Sequence, residues 1–143
     1  MGDLATHAGM GPEPYTSIKV DTPRSRIVFE GSVPNEGYVR HQQWPDPAEG
    51  VRALVLHDSF TYWNFPFLGE VFSDALFIHS PDCDYHLLAK WKPDVVWFLQ
   101  AERFLPRIPS NELDLVTWLG RQELSKERPH TASAYVQSLI QDA

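Results

Sequence analysis

The stretch RALVLHDSF, residues 52–60, decides the fold of this chain, because a short apolar run ends there directly in three polar residues. Two further runs, DALFIH at residues 74–79 and DVVWFL at residues 94–99, have the same form. None of the three alternates apolar and polar residues, which is typical of strands buried on both faces of a parallel sheet. They predict three parallel strands.

The segments that join these runs predict helices. The first, TYWNFPFLGEVF, contains Pro66, which a helix tolerates only near its start. In the second, SPDCDYHLLAKWKPD, Asp82 or Asp84 can cap a helix that Pro93 must end. Strands that alternate with helices form βαβ units, whose right-handed crossovers place helices on both faces of the sheet. We therefore predict an α/β protein with a partial three-layer, flavodoxin-like fold, a short parallel sheet and C-terminal helices.

The chain divides into three blocks within what we predict to be a single domain, since 143 residues suit one hydrophobic core. Residues 1–49 are rich in Gly, Pro and polar residues and predict irregular structure with short strands, of which RIVFEG is the clearest. Residues 50–105 form the βαβαβ core. Residues 106–143 predict a helical tail, with one helix in SNELDLVTWLGRQELSK, a break at Pro129 and a second helix in TASAYVQSLIQ.

Composition excludes several classes of function. The net charge is −7 and the Lys and Arg residues are scattered, which argues against binding to nucleic acid. Cys83 is alone, so neither an internal disulfide nor a Cys-based zinc site can form, and we expect no metal and no cofactor. No apolar run approaches the length of a membrane span, and no signal peptide follows Met1, so at face value the chain is soluble and not exported.

Polar residues follow each of the three apolar runs. The carboxyl ends of parallel strands meet at one edge of a sheet, and ligands of open α/β sheets bind beyond that edge. We therefore expect the three polar groups to lie close together: His57, Asp58 and Ser59; His79 and Ser80; and Gln100, Ala101, Glu102 and Arg103.

Ser59 stands where a strand turns into a helix. A nucleophilic serine favours such a turn, because its hydroxyl is exposed and backbone N–H groups can hold an oxyanion. The alternative is that Ser59, or Asp58 before it, only caps the helix. A self-contained triad of His57, Asp58 and Ser59 is rejected, because neighbouring residues on an extended backbone point to opposite faces.

A base for Ser59 must therefore come from elsewhere in the chain. His79 ends a strand on the expected edge, although we favour the simpler explanation of a polar strand end. Glu127 lies three residues before His130, just ahead of the last predicted helix, and could orient that imidazole as Asp does in a triad. The alternative for His130 is an ordinary Pro-His entry into a helix.

These residues carry a family resemblance. The stretch ALVLHDSFTYWNFPFLGEVFSDALFIH, followed by KPDVVWFLQAERFL, resembles the SGNH-hydrolase-like domain of the alginate O-acetyltransferases of the AlgX/AlgJ type. That family has an apolar strand ending in Asp-Ser-Phe or Thr-Ser-Phe, and a Lys-Pro-Asp-Val-Val strand ending in Glu-Arg. The opening GDLATHAGM is similar to a Gly-Asp-Leu-Ala segment of the same family. The resemblance covers most of the chain, from residue 2 to about residue 106.

The resemblance implies a chemistry. Ser59 would attack an acetyl ester to give an acyl-serine, with its own N–H in the oxyanion hole, and the acetyl group would pass to a sugar hydroxyl or to water. The implied partners are a polysaccharide or other carbohydrate acceptor and an acetyl donor, and the family acts in the periplasm. At the same edge, Asp58, Tyr62, Glu102 and Arg103 are candidates for binding the substrate.

The chain departs from the family in two places. The family's Asp-x-His-Trp base motif precedes the Gly-Asp-Leu-Ala segment, and because this chain begins at that segment the motif is absent. HQQW at His41 does not replace it, since Val39 stands where the Asp should be and the stretch lies at the wrong place in the chain. His57 replaces the usual Gly before Asp58. We favour a domain that is incomplete at its N-terminus, with the base before Met1, over a dyad rebuilt from Glu127 and His130.

An alternative function follows from the missing base. The chain would then be a catalytically inactive SGNH-like module that binds a carbohydrate or a protein through Tyr62, Trp63 and Trp97. In either case an incomplete sheet leaves an exposed edge, which invites a partner segment that completes the sheet or a second copy of the chain.

Overall fold

A computed structural model describes residues 23–102 and 108–141, and within them five strands form one mixed sheet. The strands are β1 Arg26–Glu30, β2 Val39–Gln43, β3 Arg52–His57, β4 Asp74–Ile78 and β5 Val95–Leu99. In spatial order the sheet is β1-β2-β4-β3-β5, with β4 in the centre. Strand β3 is parallel to β4 and β5, whereas β2 is antiparallel to β4 and β1. The predicted α/β class and its three parallel strands are confirmed.

Helices follow the strands of the core as predicted. A 3-10 helix, Ser59–Asn64, leads into α1, Phe65–Val71, and Pro66 lies in the first turn of α1. The remaining helices are α2 Tyr85–Trp91, α3 Leu115–Ser125 and α4 Thr131–Gln141, with a short 3-10 turn at Pro47–Glu49. None of the helices in these parts of the chain is long and apolar enough to cross a bilayer.

The caps explain where two of these helices begin. Asp84 accepts hydrogen bonds from the N–H groups of His86 and Leu87, so it is the N-cap of α2, as predicted. The helix predicted from Ser110 instead begins at residue 115, because Asp114 caps it by accepting from the N–H of Thr117.

Strands β1 and β2 extend the sheet beyond the predicted parallel core. RIVFEG forms β1, as its apolar pattern predicts. Strand β2 has the sequence VRHQQ and no apolar pattern, yet His41 and Gln42 in it are buried. The first block is therefore more regular than expected around residues 26–43.

Alternating residues of β3 and β4 face two different cores, so the fold has three layers. One face packs against α2, α3 and α4 through residues that include Leu54, Leu56, Leu76 and Ile78. The opposite face packs against the α1 side through Ala53, Val55, Ala75, Phe77, Phe65 and Phe72. All the strand residues in these two sets are buried, so β3 and β4 are closely packed on both faces.

Strand β5 corrects one prediction. Its apolar sequence predicts a strand buried on both faces, but Trp97 and Phe98 are 39% and 40% exposed. The reason is position, since β5 is the last strand of the sheet and, among the described residues, pairs only with β3.

A buried polar network lies at the start of β4, at the end of the parallel strands that is far from Ser59. Asp74, at the start of β4, accepts hydrogen bonds from His41, Gln43 and Arg52. The other ring nitrogen of His41 lies 2.6 Å from the hydroxyl of Tyr135 in α4. Burial alone would raise the pKa of Asp74, but these hydrogen bonds outweigh burial and hold that pKa below its ordinary value.

Candidate active site

Ser59 is the first residue of the 3-10 helix that follows β3, with Asp58 as the N-cap. The carboxylate of Asp58 accepts from the N–H groups of Phe60 and Ala101, and its own N–H donates to the carbonyl of Leu99 at 3.1 Å. Asp58 therefore ties the turn after β3 to the end of β5. It holds Ser59 in place and is occupied by backbone donors rather than turned into the cavity next to Ser59.

The backbone N–H of Ser59 lies at the start of the 3-10 helix. The first N–H groups of a helix have no acceptor inside the helix. The carboxylate of Asp58 accepts from the N–H of Phe60, whereas within the described residues the N–H of Ser59 donates to no side chain. Ser59 is partly buried, and its hydroxyl and this N–H belong to one residue, so an ester carbonyl that approaches Oγ also approaches the donor.

An open cavity of about 610 Å³ lies beside Ser59. It brings together the carboxyl ends of β3 and β4, the loop between β1 and β2, and the end of α3. Its lining residues are Pro34, Asn35, Glu36, Ser59, His79, Gln122 and Lys126. The predicted convergence of strand ends is thus present for Ser59 and His79.

His79 is fixed on three sides. Its backbone N–H donates to the carbonyl of Tyr38 at 2.9 Å, and its carbonyl accepts from the N–H of Gly37 at 3.0 Å. Its Nδ1 lies 3.0 Å from the hydroxyl of Tyr62. Burial lowers the pKa of His79 below its ordinary value; the charges of nearby carboxylates oppose this, and Lys126 lowers the pKa further. At neutral pH the neutral form of the imidazole therefore predominates.

His57 lies beneath the site and is not among the residues that line the cavity. Its Nδ1–H donates to the carbonyl of Asp58 at 2.8 Å, and burial lowers the pKa of His57 to about 4. Its Nε2 is buried without a hydrogen-bond partner in the described residues. The ring packs 5.3 Å from that of His79 and 5.1 Å from that of Phe65, centroid to centroid. The bulky side chain at this position thus supports the floor of the site.

A second, smaller cavity adjoins the first. It measures about 290 Å³ and is lined by Pro34, Asn35, Tyr38, Arg40, Tyr62 and Phe65. Burial raises the pKa of Tyr62 to about 12, so this residue remains a neutral phenol. Because both cavities are lined by Pro34 and Asn35, and Tyr62 binds His79, the two cavities form neighbouring parts of one surface.

The two other predicted substrate-binding residues lie after β5. Glu102 is exposed and follows Ala101, whose N–H is bound to Asp58. Glu102 does not line the cavity of Ser59. Arg103 lies outside the described residues.

The predicted pair of Glu127 and His130 is placed on the surface. Glu127 is exposed with a φ of 54°, and His130 is exposed as well. The carboxylate nearest to His130 belongs to Glu123, with 3.5 Å between Oε2 and Nδ1. Neither His130 nor Glu127 lines the cavity that holds Ser59.

Several residues of the site were not singled out by their sequence pattern. Glu36 and Lys126 reach the cavity through a loop and the end of a helix, and no local pattern marks them. His79 could be found, because it directly follows the second apolar run on the same sheet edge as Ser59. Within residues 23–102 and 108–141, no group of three or more His, Cys, Asp or Glu side chains could hold a metal ion.

Comparisons with known proteins give little beyond this geometry. No family model matches the chain, and no curated protein matches it. Among solved structures, it is similar to PatB1 from Bacillus cereus, with 22% identity and a TM-score of 0.41. The alignment covers 47% of this chain and 23% of that one, so the chain spans less than a quarter of PatB1's length. A likeness of this size assigns neither a fold family nor an activity.

Proposed function

We propose that this chain is an SGNH-like O-acetyltransferase or acetylesterase domain, which acts on carbohydrate hydroxyls through an acyl-serine at Ser59. One observation supports this above the others. Ser59 begins a helix at the carboxyl end of a parallel strand and shares an open cavity with the uncharged imidazole of His79. A serine nucleophile needs both a strand-to-helix turn of this kind and a neighbouring base.

The reaction would proceed in two halves. In the first, Ser59 Oγ bonds to the carbonyl carbon of an acetyl ester, and the alcohol of the donor leaves. The backbone N–H of Ser59 would stabilise the negative charge on the carbonyl oxygen. In the second half, a sugar hydroxyl or water attacks the acetyl-serine and releases the acetyl group to the acceptor. The choice of acceptor separates a transferase from an esterase.

The adjoining cavity supports a carbohydrate acceptor. Its lining combines the rings of Tyr38 and Tyr62 with the guanidinium of Arg40, and the rings of Tyr and Phe suit the apolar faces of sugars. An acceptor seated there would lie next to His79 and within the same surface as Ser59. We therefore propose Tyr62 as a binding residue for a polysaccharide acceptor, with the acetyl donor entering the larger cavity.

The test is turnover of p-nitrophenyl acetate by the whole chain. We expect acetate release that Ser59→Ala abolishes, together with an acetylated peptide containing Ser59 in mass spectrometry after rapid quenching. Ser138→Ala is the matched control, because its hydroxyl donates to the carbonyl of Tyr135, away from the cavity. If Ser59→Ala turns over the ester at the wild-type rate, the proposal is wrong.

A binding module without catalysis is the second candidate, and the exposure of Trp63 favours it. This side chain is 84% exposed on the 3-10 helix, next to Tyr62, and Trp97 is partly exposed on β5. Binding of a polysaccharide that Trp63→Ala weakens, by a wild-type chain that turns over no acetyl ester, would support this module instead of the enzyme.

We further propose that the outer edge of β5 pairs with another strand, from a partner segment or a second copy. Its five residues, VVWFL, contain no charge, and an uncharged exposed edge is a template for further pairing. Such a strand would also cover Trp97 and Phe98.

A further inference from the structure

We propose that His79 is the general base for Ser59 and that Tyr62 positions its ring through Nδ1. This inference rests on the function proposed for Ser59 and supplies, from within the chain, the base that the missing Asp-x-His-Trp motif would otherwise provide. It differs from a base before Met1 and from one built on Glu127 and His130.

The positions of Ser59 and His79 are the first support for this assignment. Ser59 and His79 line the same cavity, at the ends of adjacent parallel strands. The backbone of His79 forms hydrogen bonds to Gly37 and Tyr38, which fix the position of its Cα and limit where the ring can lie. No hydrogen bond joins these two described side chains. In free enzymes such bonds are often long and shorten only when the substrate binds.

The tautomer decides whether the imidazole can act as a base. When Nδ1–H donates to the oxygen of Tyr62, Nε2 keeps its lone pair and can accept the proton of Ser59. Tyr62 then orients the imidazole of His79 as Asp orients the imidazole in a Ser-His-Asp triad. A neutral phenol lacks the negative charge of that Asp, so the carboxylates of Glu36 and Asp58, whose charges act on His79, would stabilise the imidazolium.

The proton movements balance. As Ser59 Oγ bonds to the acetyl carbon, its proton moves to Nε2 of His79. When the ester bond to the donor breaks, Nε2 returns that proton to the leaving oxygen. The acceptor hydroxyl then gives its proton to Nε2 as it attacks the acetyl-serine. Finally Nε2 protonates Ser59 Oγ, and the free enzyme is restored.

Charged and titratable groups approach His79 from every side of the site. Glu36 and Lys126 act in opposite directions, because the carboxylate favours the imidazolium and the ammonium disfavours it. The groups that act on or contact the ring are Glu36 from the β1–β2 segment, His57, Asp58 and Tyr62 from β3 and its 3-10 helix, and Lys126 from the end of α3. The ring must be unprotonated to accept a proton, so activity should fall as the pH falls through the pKa of His79.

The first experiment compares His79→Gln and His79→Ala with His86→Gln, an exposed histidine on α2. With p-nitrophenyl acetate we expect kcat/KM to fall about 10²- to 10⁴-fold in both His79 variants. His86→Gln should keep the wild-type value, and added imidazole should restore part of the rate of His79→Ala. Thermal unfolding of each variant separates loss of the base from loss of the fold.

The outcomes distinguish the two proposals. If Ser59→Ala is inactive but both folded His79 variants keep the wild-type rate, the base assignment is wrong and the function stands. If Ser59→Ala keeps its rate, the proposed function itself is wrong. A ¹⁵N spectrum in which neutral His79 carries its proton on Nε2 also overturns the base assignment, because that nitrogen could then only donate.

The second experiment measures the acid limb of the pH–rate profile in two variants that remove opposite charges near His79. Lys126→Met should move its midpoint to higher pH, and Glu36→Gln should move it to lower pH. A merely structural role of His79 predicts no such pair of opposite shifts. Midpoints that stay fixed, or that move in the same direction in both variants, would overturn the inference.

Discussion

Oε2 of Glu123 lies 3.5 Å from Nδ1 of His130, so the carboxylate beside this histidine belongs to α3 and not to Glu127. Glu123 is fully buried and accepts hydrogen bonds from the N–H of Ala132 and from the N–H and hydroxyl of Ser133. These are donors at the start of α4. Glu123 therefore supplies acceptors from one helix to the N–H groups in the first turn of another, which have no acceptor inside their own helix.

We predict that Glu123→Gln lowers the free energy of unfolding by about 1 to 3 kcal/mol, because an amide presents one acceptor oxygen instead of two and turns its NH₂ towards donors. Urea unfolding followed by circular dichroism measures the change. Glu127→Gln is the control, and its exposed side chain should change stability by no more than about 0.5 kcal/mol. Equal stability of Glu123→Gln and wild type would contradict the capping role.

The three apolar runs predict the edge of the sheet where the carboxyl ends of the strands meet, because the apolar pattern of a buried parallel strand is a local property of the sequence. From them follow the order of strands and helices in the core, and the meeting of Ser59 with His79. Strand β2 could not be predicted in the same way. Its buried His41 is satisfied by Asp74 and Tyr135, which are 33 and 94 residues away in the sequence. A polar strand is recognisable only once its distant partners are known.

The environment of Asp74 predicts an acid-sensitive stability. Since its pKa is lower in the folded chain than the ordinary value of about 4, the carboxylate stabilises the fold above that value. This contribution is lost as the pH falls through the folded pKa. Asp74→Asn should lower the free energy of unfolding at neutral pH by about 3 kcal/mol or more, because it disrupts a buried charged network.

Urea unfolding between pH 7 and pH 3 checks the pH dependence of Asp74. The wild type should lose stability over the acid part of this range more steeply than Asp74→Asn. Asp46→Asn is the control, since Asp46 is exposed and its carboxylate accepts from the N–H of Ala48 outside this network. Parallel curves for wild type and Asp74→Asn would show that Asp74 does not carry the acid sensitivity.

Two glycines near α3 should respond to alanine in opposite ways. Gly37 has a φ of +92°, and a Cβ there would lie 2.7 Å from Cβ of Gln122. We expect Gly37→Ala to destabilise the fold by about 1 to 3 kcal/mol. Gly120 is inside α3, and a Cβ there meets only His130 at 3.7 Å. Gly120→Ala should therefore stabilise the fold by about 0.5 to 1 kcal/mol. Thermal unfolding of both variants measures the contrast, and a stabilised Gly37→Ala would refute the close approach.

The exposed strand β5 predicts self-association when no other strand covers it. The outer backbone groups of β5 are uncovered within the described residues, and the exposed parts of Trp97 and Phe98 add apolar area beside them. A charge on an edge strand opposes strand pairing, because association would bury it. Trp97→Lys should therefore shift the chain towards the monomer in sedimentation velocity over a range of concentrations. Trp63→Lys removes a more exposed tryptophan away from this edge and should leave the distribution unchanged. If Trp63→Lys alone yields the monomer, the contact is made by the 3-10 helix instead of by β5.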